Sequence, residues 1–446
     1  MARFLLCTFL EGCPWLSCNP LLPPEDKPIM KAQIVSIGNE LTSGSVLNTN
    51  ATFIAGKLHA MGIEIAEIIT VGDDTVSIVE ALRNVKPMVS FVVVTGGLGP
   101  TVDDITTHAA AEALRRKLIL NKQALQAMEE HFKHSGRTMS PHNIRQAYLP
   151  SGAQVIANPI GTACGFSAAR SNTIFFFLPG VPREMMRMLE ESVIPLIRKE
   201  QPEVTQVRTA VLKIFGRTES YCDHALGDLI KQEQEIAFAF LPHYPEITIK
   251  LTIRGREKKY LEKKLKAVER KTLHILGDIV FGRDDETMEM VVGNLLRNAG
   301  ATLALAESCT GGLITHRLTN VPGTSDYLER SLIVYSNKAK KELLRVPDAI
   351  LNRFGAVSEQ AAAHMAREVK RLSKTTIGLA VTGIAGPAGG TTEKPVGTVF
   401  IALAYKRQVI TERHQFYGDR EQIKQITAQY ALDSLRKLLI AGSPRT

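Results

Sequence analysis

The sequence predicts a mixed α/β protein in which two three-layer α/β domains are joined by a small α+β domain. Strand and helix patterns alternate along residues 31–200 and again along residues 283–446, which is typical of a sheet covered by helices on both faces. Between these blocks, residues 201–282 follow the order βαββαβ. The length of 446 residues also suits three domains of ~150 residues each.

The composition is that of an ordinary globular chain, with 44% apolar and 22% charged residues, which excludes disordered and fibrous proteins. Lysine and arginine exceed aspartate and glutamate by 54 to 45, a net charge of +9. This excess fits either a lysine-rich soluble surface or a preference for anionic ligands such as phosphates. A single tryptophan and 6% aromatic residues argue against a surface that stacks nucleic-acid bases.

Cysteine usage and the first thirty residues bear on the location of the protein. Six cysteines without a CxxC pair predict neither a disulfide framework nor a structural zinc site, and we expect a cytoplasmic protein. The N-terminal apolar run is far shorter than a membrane span, and no signal-peptide cleavage motif follows it. Residues 1–30 are interpreted as a disordered leader or the product of an upstream start codon, and no membrane contact is expected.

The first block is predicted to form a parallel sheet whose ligand site lies at the carboxyl ends of its strands. Strands are expected at 32–37, 63–71 and 91–95, and helices at 49–61, 76–84 and 103–117. Glycine-containing turns at 38–40, 96–99 and 179–182 follow strands of this block. Because such turns meet at one edge of a parallel sheet, they predict a binding site there.

The most informative of these turns is TGGLGPTVDD, residues 95–104. Gly96, Gly97 and Gly99 let the backbone approach a ligand closely, and the N–H groups of the loop and of the following helix favour an anion. Asp103 and Asp104 stand at the start of the predicted helix. One of them is expected to cap that helix, or the pair holds a divalent cation that bridges the protein to a ligand phosphate.

The middle block is predicted to be a two-layer α+β unit. Its second helix, expected at 257–271, carries the basic run REKKYLEKKLKAVERK. Leu261, Leu265 and Val268 form one apolar stripe along this helix. The charges are therefore interpreted as the solvated face of an amphipathic helix rather than as a surface for nucleic acid.

In the third block a serine stands in a turn between a strand and a helix. The segment ALAESCTGG, residues 304–312, places Ser308 at the sheet edge, where helix N–H groups are candidates for an oxyanion hole. A nucleophilic serine needs a base, and YSNKAK, at the end of a strand expected at 332–335, supplies lysines whose pKa burial would lower. On spacing alone, Ser308 is also explained as a turn or helix-capping serine, and Cys309 is a rival nucleophile.

The third block resembles the C-terminal domain of the CinA family, whose characterised members are nicotinamide-nucleotide amidohydrolases. The matching motifs, in chain order, are ESCTGG, YSNxxK, RFGAVSE, TGIAGPxGG, KPVGTV and GDR. The first block resembles the N-terminal domain of the same family, which is akin to molybdopterin-binding proteins of the MoaB and MogA kind. Its matching motifs are GNELTSGSVLNTN, TVGDD, TGGLGPTxDDxT and LPGVPREM.

The resemblance implies a serine–lysine amidase that converts nicotinamide mononucleotide to nicotinic acid mononucleotide and ammonia in pyridine-nucleotide salvage, without a cofactor. It implies that Ser308 is the nucleophile, that Lys340 is the general base and that Tyr335 orients or relays the proton. The residues that it implies for substrate binding are Thr310, Gly311, Thr382, Gly383 and Arg420.

For the N-terminal domain the resemblance implies metal-dependent hydrolysis of ADP-ribose, with a divalent metal as the candidate cofactor. The implied phosphate loop comprises Gly96, Gly97, Gly99, Thr101 and Glu40, and the implied metal ligands are Asp103 and Asp104. This pyrophosphatase activity is one alternative function of the chain.

A second alternative is a nonenzymatic binding protein linked to DNA uptake, which the competence-related family name suggests. The sequence offers neither a helix-turn-helix nor an aromatic-lined basic sheet in its support. We therefore expect a small nucleotide substrate, no nucleic-acid partner, and a homo-oligomer, a dimer, as the assembled form.

Overall fold

The computed structural model describes residues 30–101, 103–136, 138–200 and 206–442. The expected leader, residues 1–30, lies outside the described residues except for Met30. The chain divides into two compact units between Gln206 and Val207. Within the described ranges, no helix is long and apolar enough to cross a membrane.

The first unit alternates strands and helices along its described residues. Its strands are β1 (Lys31–Ile37), β2 (Glu64–Val71), β3 (Val89–Thr95), β4 (Leu118–Leu120), β5 (Tyr148–Pro150), β6 (Gln154–Ile156), β7 (Gly165–Arg170) and β8 (Thr173–Leu178). Its α-helices are α1 (Asn39–Thr42), α2 (Thr49–Ala60), α3 (Thr75–Arg83), α4 (Thr106–Ala113), α5 (Lys122–Ser135), α6 (Pro182–Met188) and α7 (Ile194–Glu200). A 3₁₀ turn spans Pro141–Ala147, and a π-helical turn, Leu189–Val193, joins α6 to α7.

The main sheet of this unit has the strand order β2-β1-β3-β8-β7-β6. The first four strands are parallel, as predicted. The expectation of a parallel sheet is wrong at the other edge, where β7 pairs antiparallel with both β8 and β6. A turn at Ser171, with a φ of 52°, connects β7 to β8, and a connection this short joins only antiparallel strands.

Helices cover both faces of this sheet, which confirms the three-layer architecture. Buried side chains of α2 and α6 pack on one face against β1 and β3. Buried side chains of α3, α4 and α5 pack on the opposite face. The turns that follow β1, β3 and β8 consequently emerge at the same edge, because these strands are parallel neighbours.

The second unit begins with the middle block. Its strands are β9 (Gln206–Ile214), β10 (Ile236–His243), β11 (Glu246–Gly255) and β12 (Val280–Arg283), and its helices are α8 (Glu219–Gln232) and α9 (Lys258–Leu276), followed by a 3₁₀ turn at Gly277–Ile279. The strand order is β10-β11-β9-β12. One hydrophobic core lies between this sheet and the two helices, as the two-layer prediction requires. The stripe of Leu261, Leu265 and Val268 on α9 is buried in that core.

The C-terminal part of the second unit is a five-stranded sheet between two helical layers. Its strands are β13 (Leu303–Glu307), β14 (Leu328–Ile333), β15 (Ile377–Gly383), β16 (Thr398–Tyr405) and β17 (Gln408–Gln415). Its helices are α10 (Met288–Asn298), α11 (Leu313–Thr319), α12 (Asn337–Leu344), α13 (Asp348–Phe354), α14 (Glu359–Ser373) and α15 (Arg420–Gly442), with a 3₁₀ turn at Thr324–Asp326. The strand order is β14-β13-β15-β16-β17.

Strand direction in this sheet determines where its loops meet. β14, β13 and β15 are parallel, whereas β16 and β17 are antiparallel additions. β14 ends at Ile333 rather than at the expected residue 335, so Tyr335 lies in the loop beyond the strand. The carboxyl ends of β13 and β15 lie side by side, with Glu307 opposite Val381. This edge carries the candidate site.

Candidate active site

The turn after β13 brings Ser308 against a lysine from the next helix along the chain. Ser308 lies beside β15, where its amide donates to the carbonyl of Val381 at 3.1 Å. Ser336 caps the start of α12 by accepting from the amide of Ala339 at 3.0 Å. One turn into this helix, the side chain of Lys340 reaches back to the sheet edge, and Lys340 Nζ lies 3.0 Å from Ser308 Oγ. The two residues expected to act as nucleophile and base are thus in direct contact.

The environment of Lys340 favours the neutral amine. The side chain is 2% exposed, and burial lowers its pKa from the ordinary lysine value because a charged amine loses its hydration. Its Nζ contacts the backbone carbonyls of Val334 at 2.8 Å and Tyr335 at 3.3 Å. Burial outweighs the opposing electrostatic influence of the neighbouring Cys309, which by itself would raise the pKa of Lys340.

A cavity of about 140 Å³ opens onto this pair. Its lining residues are Ser308, Cys309, Tyr335, Asn337, Lys340, Ala356, Val357, Thr382, Gly383, Ala385 and Arg420. The structure thus brings together six of the eight residues expected for the amidase site. Asn337, which the sequence analysis did not single out, belongs to the same YSNKAK motif and was identifiable from its position between Tyr335 and Lys340.

An arginine closes one side of the cavity. Arg420 is the first residue of α15, and its guanidinium donates to Tyr335 Oη at 2.8 Å and to the carbonyl of Gly386 at 2.5 Å. Because Tyr335 Oη accepts from Arg420, its own phenolic proton remains free for donation. The remaining N–H groups of the guanidinium suit a phosphate or carboxylate.

Thr382 and Gly383 form the wall at the end of β15. The hydroxyl of Thr382, which is buried, donates to the carbonyl of Ala356 at 2.9 Å. A Cβ at Gly383 would lie 2.7 Å from Val399 Cγ2, so packing against β16 requires glycine there. These contacts hold the cavity wall in place, so the end of β15 determines the shape of this side of the cavity.

Glu307 is a second residue at this edge that the sequence analysis missed. Its side chain is 1% exposed and accepts from the amides of Gly312 at 3.0 Å, Ile314 at 3.1 Å and Thr315 at 2.8 Å. These amides form the start of α11, so the carboxylate neutralises the positive end of the helix. No local pattern indicated this role, because capping patterns involve the N-cap residue itself, which in α11 is Gly312.

The contacts of Glu307 correct two expectations. Thr310 and Gly311, expected to bind substrate, do not line the cavity; the Thr310 hydroxyl donates to Glu307 at 2.7 Å. The amides at the start of α11, expected to form an oxyanion hole, are likewise occupied by Glu307. Among the described residues, the amides of Cys309 and Thr310 donate to no backbone carbonyl and face only the Cys309 thiol, so they are the better candidates for that role.

Cys309 is not a competing nucleophile in this arrangement. Its side chain is buried, and burial raises the pKa of its thiol to about 12. The reactive form of a cysteine is the thiolate. A thiol with this pKa stays protonated at neutral pH, so Ser308 remains the candidate nucleophile.

In the first unit, the turns after β3 and β8, which contain Gly96, Gly97 and Gly180, lie close together at the sheet edge. We call them the glycine cradle. A Cβ on Gly96 would lie 2.1 Å from the carbonyl oxygen of Ile37, and one on Gly97 would lie 2.3 Å from Thr106 Oγ1. Asn50 of α2 donates to the carbonyl of Gly180 at 2.8 Å and to Thr95 Oγ1 at 3.1 Å, so it connects the turn after β8 with the end of β3. Asn50 Oδ1 and Thr106 Oγ1 are buried without a hydrogen-bond partner in the described residues. Such atoms indicate a ligand or water in the cradle.

The expected metal ligands do not form a metal site by themselves. Asp104 Oδ2 already accepts from the amide of Thr101 at 2.8 Å and from its hydroxyl at 2.5 Å. Asp103, the other expected ligand, is exposed, as is Glu40 of the expected phosphate loop. In the described ranges, no group of three or more His, Cys, Asp or Glu side chains is arranged to hold a metal ion.

The expectation that an aspartate caps the helix is also wrong. α4 begins at Thr106 and its N-cap, Ile105, makes no side-chain cap. Asp104 instead closes the turn that contains Thr101. A cavity of about 440 Å³ adjoins this turn and is also lined by His108 and Arg145, which the sequence analysis did not identify.

Three family models match the chain in consecutive segments. The CinA C-terminal domain matches residues 285–439, the probable molybdopterin binding domain matches residues 33–199, and the damage-inducible protein CinA KH domain matches residues 209–282. The KH match adds a finding that the sequence analysis missed. The Gly-x-x-Gly loop with which KH domains clamp a nucleic-acid backbone does not occur in residues 209–282.

Curated relatives share nearly the whole chain. A CinA-like protein of Geotalea uraniireducens is 44% identical over 412 residues, which is 92% of this chain and 98% of that protein. A CinA-like protein of Geobacter sulfurreducens is 44% identical over 415 residues, covering 93% of this chain and all of that protein. A solved CinA structure from Thermoplasma acidophilum is 33% identical, with a TM-score of 0.35, and covers 37% of this chain and 97% of that one. The chain therefore belongs to the CinA family.

Proposed function

We propose that the C-terminal domain is a nicotinamide-nucleotide amidohydrolase of pyridine-nucleotide salvage. The observation that carries the proposal is the 3.0 Å contact between Ser308 and the buried Lys340 at the mouth of a cavity. The resemblance to characterised CinA proteins supplies the substrate, nicotinamide mononucleotide. The products are nicotinic acid mononucleotide and ammonia.

The contacts of Lys340 suit the role of general base. In the neutral amine, the two N–H groups donate to the carbonyls of Val334 and Tyr335, and the nitrogen lone pair is left to accept the proton of Ser308. Removal of this proton lets Ser308 Oγ attack the carboxamide carbon, which forms a tetrahedral intermediate. The amides of Cys309 and Thr310 are the candidates to stabilise its oxyanion.

The same lysine serves the following steps. The ammonium of Lys340 returns its proton to the leaving nitrogen, so the C–N bond breaks and ammonia departs from an acyl-enzyme. Lys340 then accepts a proton from water, whose oxygen attacks the ester carbon. The bond between this carbon and Ser308 Oγ breaks, Lys340 returns the proton to Ser308 Oγ, and the carboxylate product is released. The Tyr335 phenol orients the amide from the cavity rim, and Arg420 binds the anionic nucleotide.

Removal of either reacting group tests the proposal. We expect Ser308→Ala and Lys340→Ala to lower the rate of ammonia release from nicotinamide mononucleotide at least about 1,000-fold. Because none of the proposed steps uses a metal ion, a chelator should leave the wild-type rate unchanged. Lys338→Ala is the matched control, since Lys338 lies on the same helix with its side chain 82% exposed. Unaltered turnover in Ser308→Ala would refute the assignment.

We propose a second activity for the first unit, hydrolysis of the pyrophosphate bond of ADP-ribose. The glycine cradle and its unpartnered atoms, Asn50 Oδ1 and Thr106 Oγ1, favour a bound phosphate group. Among the described residues, the nearby carboxylates do not form a metal site by themselves. The test is ADP-ribose hydrolysis with and without Mg²⁺, where Asp104→Ala should abolish turnover and Ser308→Ala should not.

A further inference from the structure

We propose that the β10–β11 hairpin of the middle domain positions Arg420, and that Tyr244 and Glu246 are positioning residues for the amidase site. This inference rests on the proposed function of that site. It assigns the middle domain a part in substrate binding, through contacts with the helix that carries Arg420. The contacts run from the hairpin to the N-terminal half of α15.

The first contact lies at the tip of the hairpin. Tyr244 follows β10, in a turn that pairs His243 with Glu246. Tyr244 Oη donates to the backbone carbonyl of Gln422 at 3.1 Å. Gln422 lies in the first turn of α15, two residues after Arg420. The hairpin therefore contacts the turn that carries the arginine.

The turn around Arg420 is closed by a reciprocal cap. The amide of Asp419 donates to Gln422 Oε1 at 2.9 Å, and the amide of Gln422 donates to Asp419 Oδ1 at 2.8 Å. A capping box of this kind satisfies the free amides at a helix start. Tyr244 binds the backbone of the same Gln422. The hairpin and the cap therefore both support the helical turn that contains Arg420.

The second contact lies two turns further along the helix. Glu246 Oε1 accepts from Gln429 Nε2 at 2.8 Å, and Gln429 Oε1 accepts from Arg317 at 2.7 Å. Gln429 is fully buried, and burial raises the pKa of Glu246. Gln422 and Gln429 are seven residues apart, so they share one face of the helix. The hairpin thus forms hydrogen bonds with α15 at two points on one face of the helix.

These two hydrogen bonds from the hairpin determine where the guanidinium of Arg420 lies. Its hydrogen bonds to Tyr335 and Gly386 require the helix start to stay in register with the cavity. Loss of a support for the first turn lets the guanidinium move away from the nucleotide without changing Ser308 or Lys340. The expected signature is weaker substrate binding at an unchanged chemical step.

Kinetics of Tyr244→Phe in the full chain test the inference. We expect KM for nicotinamide mononucleotide to rise about 3- to 10-fold, the effect of one hydrogen bond, while kcat stays within about twofold. Tyr260→Phe is the matched control, because Tyr260 of the same domain donates to Glu235 at 2.6 Å and not to α15. In an Arg420→Ala background, Tyr244→Phe should have no further effect, since coupled residues are non-additive.

Hydrogen exchange of residues 418–424 gives a readout that needs no turnover. We expect these amides to exchange at least about threefold faster in Tyr244→Phe than in the wild type or in Tyr260→Phe. Unchanged exchange together with an unchanged KM overturns the positioning role. A wild-type protein that releases no ammonia overturns the proposed function instead, and the exchange rates then decide the hairpin inference alone.

Discussion

At the scale of single residues, the protonation of Lys340 controls the proposed chemistry. Burial lowers its pKa below 10.5, so the neutral amine is present at lower pH than in a free lysine. The base acts deprotonated, and its activity is lost as pH falls through the lowered value. Between the lowered pKa and the ordinary one, the unfolded chain binds a proton that the folded chain does not, so stability rises with pH across that window.

A pH profile of kcat/KM checks this assignment. We expect the rate to rise with pH and to level off well below 10.5, the ordinary lysine value, because only the neutral Lys340 accepts the seryl proton. Lys338→Ala should give the same profile as the wild type. An inflection at the ordinary value, or a rate that falls over this range, would mean that another group is the base.

At the scale of elements, the capping of α11 by Glu307 holds the catalytic turn. Glu307→Gln removes a buried charge that several donors share, and hydrogen bonds to charged groups are the strong ones. We expect a loss of about 2–4 kcal/mol in the free energy of unfolding, measured by chemical denaturation. Glu342→Gln, an exposed acid on α12, should change it by less than about 0.5 kcal/mol. Equal losses of stability in the two variants would show that the Glu307 cap does not stabilise the catalytic turn.

In the glycine cradle of the first unit, the turn after β3 depends on the backbone conformation of Gly97. Gly97 has a φ of 62°, and a Cβ there would lie 2.3 Å from Thr106 Oγ1. Gly97→Ala should therefore destabilise the first unit by about 1–3 kcal/mol. Gly56→Ala is the control, because a Cβ at Gly56 on α2 meets nothing within 4 Å; it should be neutral or stabilising. Thermal denaturation followed by circular dichroism measures both.

At the scale of the whole molecule, the middle domain and the C-terminal domain share a hydrophobic core. Phe215 and Phe281 of the middle domain are buried in the cluster that contains α10 and α15, and the rings of Phe215 and Tyr430 lie 4.7 Å apart. Arg436 of α15 donates to the carbonyl of Asp278 at 2.7 Å. A cut at residue 283 therefore divides one core.

Two fragments test this shared core. We expect residues 207–446 to fold as a unit and to retain the KM of the full chain. Residues 283–446 should be less stable by at least about 3 kcal/mol, the cost of removing one buried phenylalanine, and should show the raised KM of Tyr244→Phe. Equal stability of the two fragments would show that the shared core contributes little.

The amino-acid sequence by itself determined the local structure: the alternation of strands and helices, the glycine turns, and the position of Ser308 where a buried strand ends. Apolar periodicity and turn residues act over a few positions, so they can be interpreted without a fold. The motifs of the third block also identified most of the residues that line the cavity.

Only the tertiary structure decided which residues meet. Ser308 and Lys340 are 32 residues apart, and Tyr244 and Gln422 are 178 apart, so their contacts depend on packing that no local pattern specifies. The same holds for Glu307, whose carboxylate became a cap because the turn after β13 folds back onto it. The parallel pairing of β13 with β15 is also long-range, because it joins strands that are distant in the chain.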